Sequence, residues 1–105
     1  MQLDVKREEL PDGVILITVS GEVDMNTSPA LRSELKSASK AKPEAVHLQM
    51  QDVGYFDSSG IAVLIEGKKW CTKKKCSFKL IGLSEKVRSV LELSRLMSLF
   101  EVDEG

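Results

Sequence analysis

Residues 45–50, "AVHLQM", alternate strictly between apolar and polar side chains. Along an extended strand successive side chains point to opposite faces. Val46, Leu48 and Met50 therefore share one face, and His47, Gln49 and the following Gln51 share the other. A strand covered by helices on both faces reads as a continuous apolar run. This alternation predicts helices mainly on one side of a sheet, and it argues against a doubly wound arrangement.

The flanks of this strand extend the same reading. Upstream, residues 2–8 form a weak first strand, "PDG" at 11–13 is a turn signal, and the β-branched run 14–20 ends at Gly21. That order predicts an antiparallel hairpin with its second strand central. "GEVDMNTSPALRSELKSASK" then reads as a loop feeding a helix, with Ser28 as N-cap, Pro29 in the first turn and Leu31, Leu35 and Ala38 as the buried stripe. Downstream, a second helix is predicted over 58–74, with Ile61, Leu64, Ile65 and Cys71 near one face. A strand over 77–82, a third helix capped by Ser84 and carrying Val87, Val90 and Leu91, and a short closing strand or packed tail at "LMSLFEV" complete the chain. The sum is an α/β (α+β-like) layer with a mixed sheet of four to five strands.

The chain has 105 residues, 42% hydrophobic and 30% charged, with no repeat or linker, so the expectation is one domain over 1–105. A net charge of -1 points neither to nucleic acid nor to a membrane surface. No apolar run approaches a bilayer span, so no membrane insertion is expected. The start "MQLDVKREEL" lacks a signal-peptide core, so a cytoplasmic protein is expected. Cys71 and Cys76 have no third cysteine or histidine close by, so no metal is expected; they read as an apolar filler and a residue near a turn. No phosphate-binding or dinucleotide glycine motif is present, and no cofactor is expected. Trp70 reads as core, the methionines as gap-fillers, the lysines of "KKWCTKKKC" as a solvated helix end, and Gly67 as a place where another element comes close.

The functional candidate is the junction "YFDSSGIAVLIEG", residues 55–67. One Asp or Ser suffices to cap a helix at a gain of ~1 kcal/mol, yet Asp57, Ser58 and Ser59 all precede Gly60 there. A phosphate at a helix N-terminus is compatible with the helix, because free N–H groups and the dipole favour an anion. It would add roughly -1.5 to -2 charge beside Asp57. A serine nucleophile is disfavoured. A nucleophile elbow has glycine two residues either side, but Phe56 replaces one of them, and the lone His47 sits mid-strand. No enzyme activity is expected.

In order and spacing, "SGEVDMNTSPALRSEL", the alternating strand, "YFDSSGIAVLIEG" and "FKLIGLSEKVRSVLELSRLMSLFEV" resemble the STAS domain, most closely bacterial anti-sigma-factor antagonists. The resemblance implies that Ser58 is phosphorylated by an anti-sigma factor with serine-kinase activity. It implies that the unphosphorylated form binds that partner, and that a PP2C-type phosphatase reverses the modification. It also places Asp24 near the partner surface and makes Asp57, Ser59, Gly60 and Ile61 the motif around the acceptor. Ile61-Ala62 departs from the leucine-glycine of many relatives. "SSGIAVLIEG" is also similar to STAS subunits of lipid-trafficking ABC transporters, the alternative reading.

Overall fold

The computed structural model describes residues 2–103. Its sheet runs in the order β1 (Leu3–Glu9), β2 (Val14–Val23), β3 (Ala45–Phe56), β4 (Ser77–Leu83), β5 (Glu101–Asp103). β1 pairs antiparallel with β2, and every other neighbouring pair is parallel. Helices α1 (Ser28–Lys40), α2 (Ser58–Lys74) and α3 (Glu85–Leu93) supply the crossovers, and a 3₁₀ turn over Met97–Leu99 precedes β5. From β2 to β5 each crossover steps in the same direction across the sheet. Since such crossovers are almost always right-handed, three steps in one direction bring all three helices to one face. The fold is thus a mixed five-stranded sheet with one-sided helices.

The register makes the two faces explicit. Arg7, Ile17, Leu48, Leu80 and Val102 form one cross-strand row, and Ile17, Leu48 and Leu80 are completely buried. The adjacent row is Glu8, Leu16, His47, Lys79 and Glu101, and its three central members are half-buried. On that open face Lys79 pairs with Glu101 at 3.4 Å, and burial followed by the Lys79 charge lowers the pKa of His47. Val46, Leu48 and Met50 join Leu31, Leu35, Ala38, Leu64 and Leu91 in a single apolar cluster. The alternation over residues 45–50 reports this architecture faithfully.

Several local expectations are revised. β2 continues past Gly21 to Val23 and β3 past Met50 to Phe56, because register shifts after Thr18, Gly21 and Gln49 re-aim the chain without ending the pairing. Ser28 is not the N-cap of α1. It is the first helical residue and buried, and Thr27 occupies the cap position with no side-chain cap bond. Met25 is not a core filler: it is 80% exposed. Gly67 does mark a close approach, since a Cβ there would lie 3.1 Å from Leu35 Cδ1 and 3.2 Å from Phe78 Cζ. Trp70 is half-buried, packs on the core cluster and has the Arg32 guanidinium 5.9 Å from its ring centroid. Cys71 and Cys76 are buried free thiols. Burial, then the neighbouring Cys76 thiol, push the Cys71 thiol up to about 12, so it stays protonated and unreactive.

Candidate functional site

Parallel pairing of β2 with β3 sets Glu22 opposite Tyr55 and Val23 opposite Phe56. The chain leaves the sheet immediately afterwards on both strands, at Asp24 and at Asp57. Two aspartates distant in sequence therefore start neighbouring loops at the carboxyl end of the parallel strands, where open α/β sheets commonly place their working residues.

Asp57 is the N-cap of α2 in extended conformation. Its Oδ1 accepts from the Ser59 N–H at 2.9 Å and from the Ser59 hydroxyl at 2.6 Å. On its other oxygen, Oδ2, it accepts from the Tyr55 hydroxyl at 3.3 Å. The Ser59 hydroxyl is the leading cause of a lowered Asp57 pKa, helped by the Ser59, Tyr55 and Gly60 donors and opposed by burial. Conversely, the Asp57 charge raises the pKa of Tyr55, with smaller contributions from Asp24 and Glu22. The register agrees: Glu22 is paired opposite Tyr55, and Asp24 and Asp57 directly follow the ends of the same two strands. The Lys86 ammonium, from α3, lies 5.7 Å from the centroid of the same ring, a cation–π distance.

The division of labour among the three polar residues is now clear. Asp57 and Ser59 are engaged with each other and cap the helix. Ser58 is the first residue of α2 and exposed, and its hydroxyl makes no side-chain hydrogen bond among the described residues. Gly60 is buried against Phe56, and its missing Cβ is what lets the first turn sit on that ring: a Cβ would overlap it, 2.8 Å from Cδ1 and Cζ. Ile61 is half-buried and packs on the core cluster.

Asp24 is only 6% exposed. Its Oδ1 accepts from the N–H groups of Asn26 at 2.8 Å and Thr27 at 3.0 Å, and its own N–H donates to Thr27 Oγ1 at 2.9 Å. Thr27 Oγ1 donates in turn to the Glu22 carbonyl at 2.7 Å. The carboxylate builds the loop, and the loop presents Met25 and Asn26 outward. Tyr55, Lys86 and Met25 are the site residues that sequence reading passed over. Only Tyr55 left a legible signal, by preceding the helix-capping aspartate on a strand end.

The chain matches the STAS domain over residues 7–104. The chain belongs to the STAS domain family. Among proteins similar to this STAS domain is the anti-sigma-B factor antagonist of Bacillus subtilis, 28% identical over 102 residues, 97% of this chain and 90% of that protein. The anti-sigma-B factor antagonist of Listeria monocytogenes is 24% identical over 102 residues, with the same coverage of 97% and 90%. A crystal structure of an anti-sigma factor antagonist from Mycobacterium paratuberculosis superposes with a TM-score of 0.89 at 25% identity, covering 99% of this chain and 87% of that one. No helix of the described residues is long and apolar enough to cross a membrane, and no group of three or more metal-binding side chains occurs among them.

Proposed function

We propose that this STAS domain, acting as a single unit over residues 1–105, is an anti-sigma-factor antagonist and that Ser58 is its phosphoacceptor. The observation that carries the reading is the unengaged, exposed Ser58 hydroxyl at the start of a helix whose cap is already complete. Adding a phosphoryl group there removes no hydrogen bond from the fold, so the modification changes the surface and leaves the scaffold intact.

In this reading the unphosphorylated protein binds an anti-sigma factor with serine-kinase activity in the cytoplasm and so releases a sigma factor. The kinase transfers the γ-phosphoryl group of ATP to Ser58 Oγ, the serine proton is lost and ADP departs. The new dianion adds to a strand end already carrying Asp57, with Glu22 paired opposite Tyr55 on the neighbouring strand and Asp24 buried in the loop behind it. Repulsion from an acidic partner patch then breaks the complex, each ~1.4 kcal/mol weakening binding tenfold. A PP2C-type phosphatase hydrolyses the phosphoserine and resets the switch. Asp57, Ser58, Ser59, Gly60 and Ile61 form the docking surface, with Asp24 acting through the loop it holds. The protein itself catalyses nothing and needs no cofactor.

The names of the relatives favour this reading over an accessory subunit of a lipid-trafficking ABC transporter. The test is binding of Ser58→Ala and Ser58→Asp variants to the serine-kinase anti-sigma factor encoded in the same genome. Ser58→Ala should bind like the unmodified protein, and Ser58→Asp at least several-fold more weakly. Equal binding by both would remove charge at Ser58 as the switch.

A further inference from the structure

The far end of α2 carries a second feature, which the switch does not use. Between Glu66 and Glu85 the sequence has no acidic residue, while Lys68, Lys69, Lys73, Lys74 and Lys75 crowd the last two turns of α2 and its cap. None of these five forms an ion pair among the described residues. Ile65, Lys68, Lys69, Thr72 and Lys73 recur at spacings of three and four, so they share one helix face. With Leu99 from the 3₁₀ turn they line a groove of about 330 Å³.

Leu99 is 40% exposed, and Ile65 is half-buried at the other side of the groove. The Thr72 hydroxyl donates to the Lys68 carbonyl at 2.9 Å, which leaves its methyl group available to a ligand. The lysines thus form a rim around an apolar floor. Favourable interaction with the helix dipole accounts for Lys73, Lys74 and Lys75 in the last turn and cap. It does not account for Lys68 and Lys69, which lie further in, nor for an exposed leucine packed beside them.

We propose that this groove is a second docking surface, and that its occupant is an acidic amphipathic helix of a partner protein. Charge complementarity selects the partner: an apolar stripe sits on Ile65, Thr72 and Leu99, and flanking carboxylates meet Lys68, Lys69 and Lys73. The volume falls at the small end of ligand sites, roughly 300–1,000 Å³, and suits a few side chains. The groove is concave, which suits a helix better than a flat lipid surface. It also has no aromatic side chain to stack a base. At 1.5 Å per residue it begins about 10 Å along the helix from Ser58, so a partner seated here leaves the acceptor serine accessible.

The test uses the full chain, isotope-labelled for amide NMR, and a synthetic 18-residue peptide of leucine and glutamate with leucines at i, i+3, i+4 and i+7. A version with lysine replacing glutamate is the control. The acidic peptide should shift the amides of Ile65, Lys69 and Leu99 and leave that of Ser58 in place. A triple variant, Lys68→Gln, Lys69→Gln and Lys73→Gln, should retain its circular dichroism and lose affinity at least tenfold. Ser58→Asp should leave this binding unchanged, so failure of the switch reading and failure of this one are separable. Equal binding of both peptides would overturn the proposal, as would shifts mapping elsewhere. So would binding of phosphatidylglycerol vesicles or a DNA duplex in place of the acidic peptide, or concentration-dependent dimerisation that buries Leu99.

Discussion

Asp24 and Asp57 occupy equivalent places: each is the first residue beyond one of two paired parallel strands, and each leads to a helix. They do different work. Asp24 is buried and holds a four-residue loop through its carboxylate, while α1 starts with no side-chain cap. Asp57 adjoins its helix directly, caps it with help from Ser59, and leaves Ser58 exposed. The same residue type builds a fixed loop in one place and a modifiable helix start in the other. What separates them is the number of residues between strand and helix. Where the loop has its own N–H groups to satisfy, the aspartate is drawn inward. Where there is no loop, it caps, and the next serine is left over.

The variant expected to do most damage is Gly60→Ala. Its methyl would overlap the ring of Phe56, which is 1% exposed and has no room to yield. Overpacking of this kind costs about 1–3 kcal/mol, and chemical denaturation should show it as a lowered midpoint. Asp24→Ala follows, at about 2 kcal/mol, because it strips acceptors from the N–H groups of Asn26 and Thr27. If that variant melts like the wild type, the distinction between the two aspartates collapses.

Asp57→Ala should cost about 1 kcal/mol, the usual value of an N-cap. A pH titration sharpens this. The Asp57 pKa is lowered in the folded protein from the ordinary 3.8. Its contribution is therefore fully present above that ordinary value and is lost as the pH falls through the lowered one. The variant should lack this part of the acid dependence, measured as thermal melting between neutral and strongly acidic pH. Ser58→Ala should change stability least, within about 0.5 kcal/mol, since no side-chain bond is removed. A larger loss would mean that Ser58 is a structural residue and that the two turns differ less than the geometry indicates.

Much of this was legible because it depends on short-range pattern. The alternation at Val46, Leu48 and Met50 gave the face of the sheet. The spacing of Leu31, Leu35 and Ala38 gave the buried stripe of α1, and Ser84 was recognisable as the cap of α3, accepting from the Val87 N–H at 3.1 Å. The misses are non-local or involve irregular backbone. A register shift after Gln49 and the intervening Asp52 and Gly54 hide the continuation of β3 to Phe56. Ser28 looks like a cap, but the Asp24–Thr27 bonds organise that turn first and leave Ser28 buried under it. Gly67 announced a close approach without naming Leu35 and Phe78, because only the tertiary fold brings them there. At the site, Asp57 and Ser58 were visible as helix-start chemistry, whereas the nearness of Asp24 and Lys86 to Tyr55 depends on strand register and on α3.

The proposed switch requires that the one unengaged hydroxyl of the Asp57–Gly60 turn, that of Ser58, is the one modified. Site-resolved mass spectrometry of the protein recovered from its native cells, with Ser58→Ala as control, tests it most directly. The account predicts phosphate on Ser58 that varies with growth condition and is absent from the control. Phosphate on Ser59 instead, or an unmodified Ser58 under every condition with an ATPase subunit co-purifying, would contradict it.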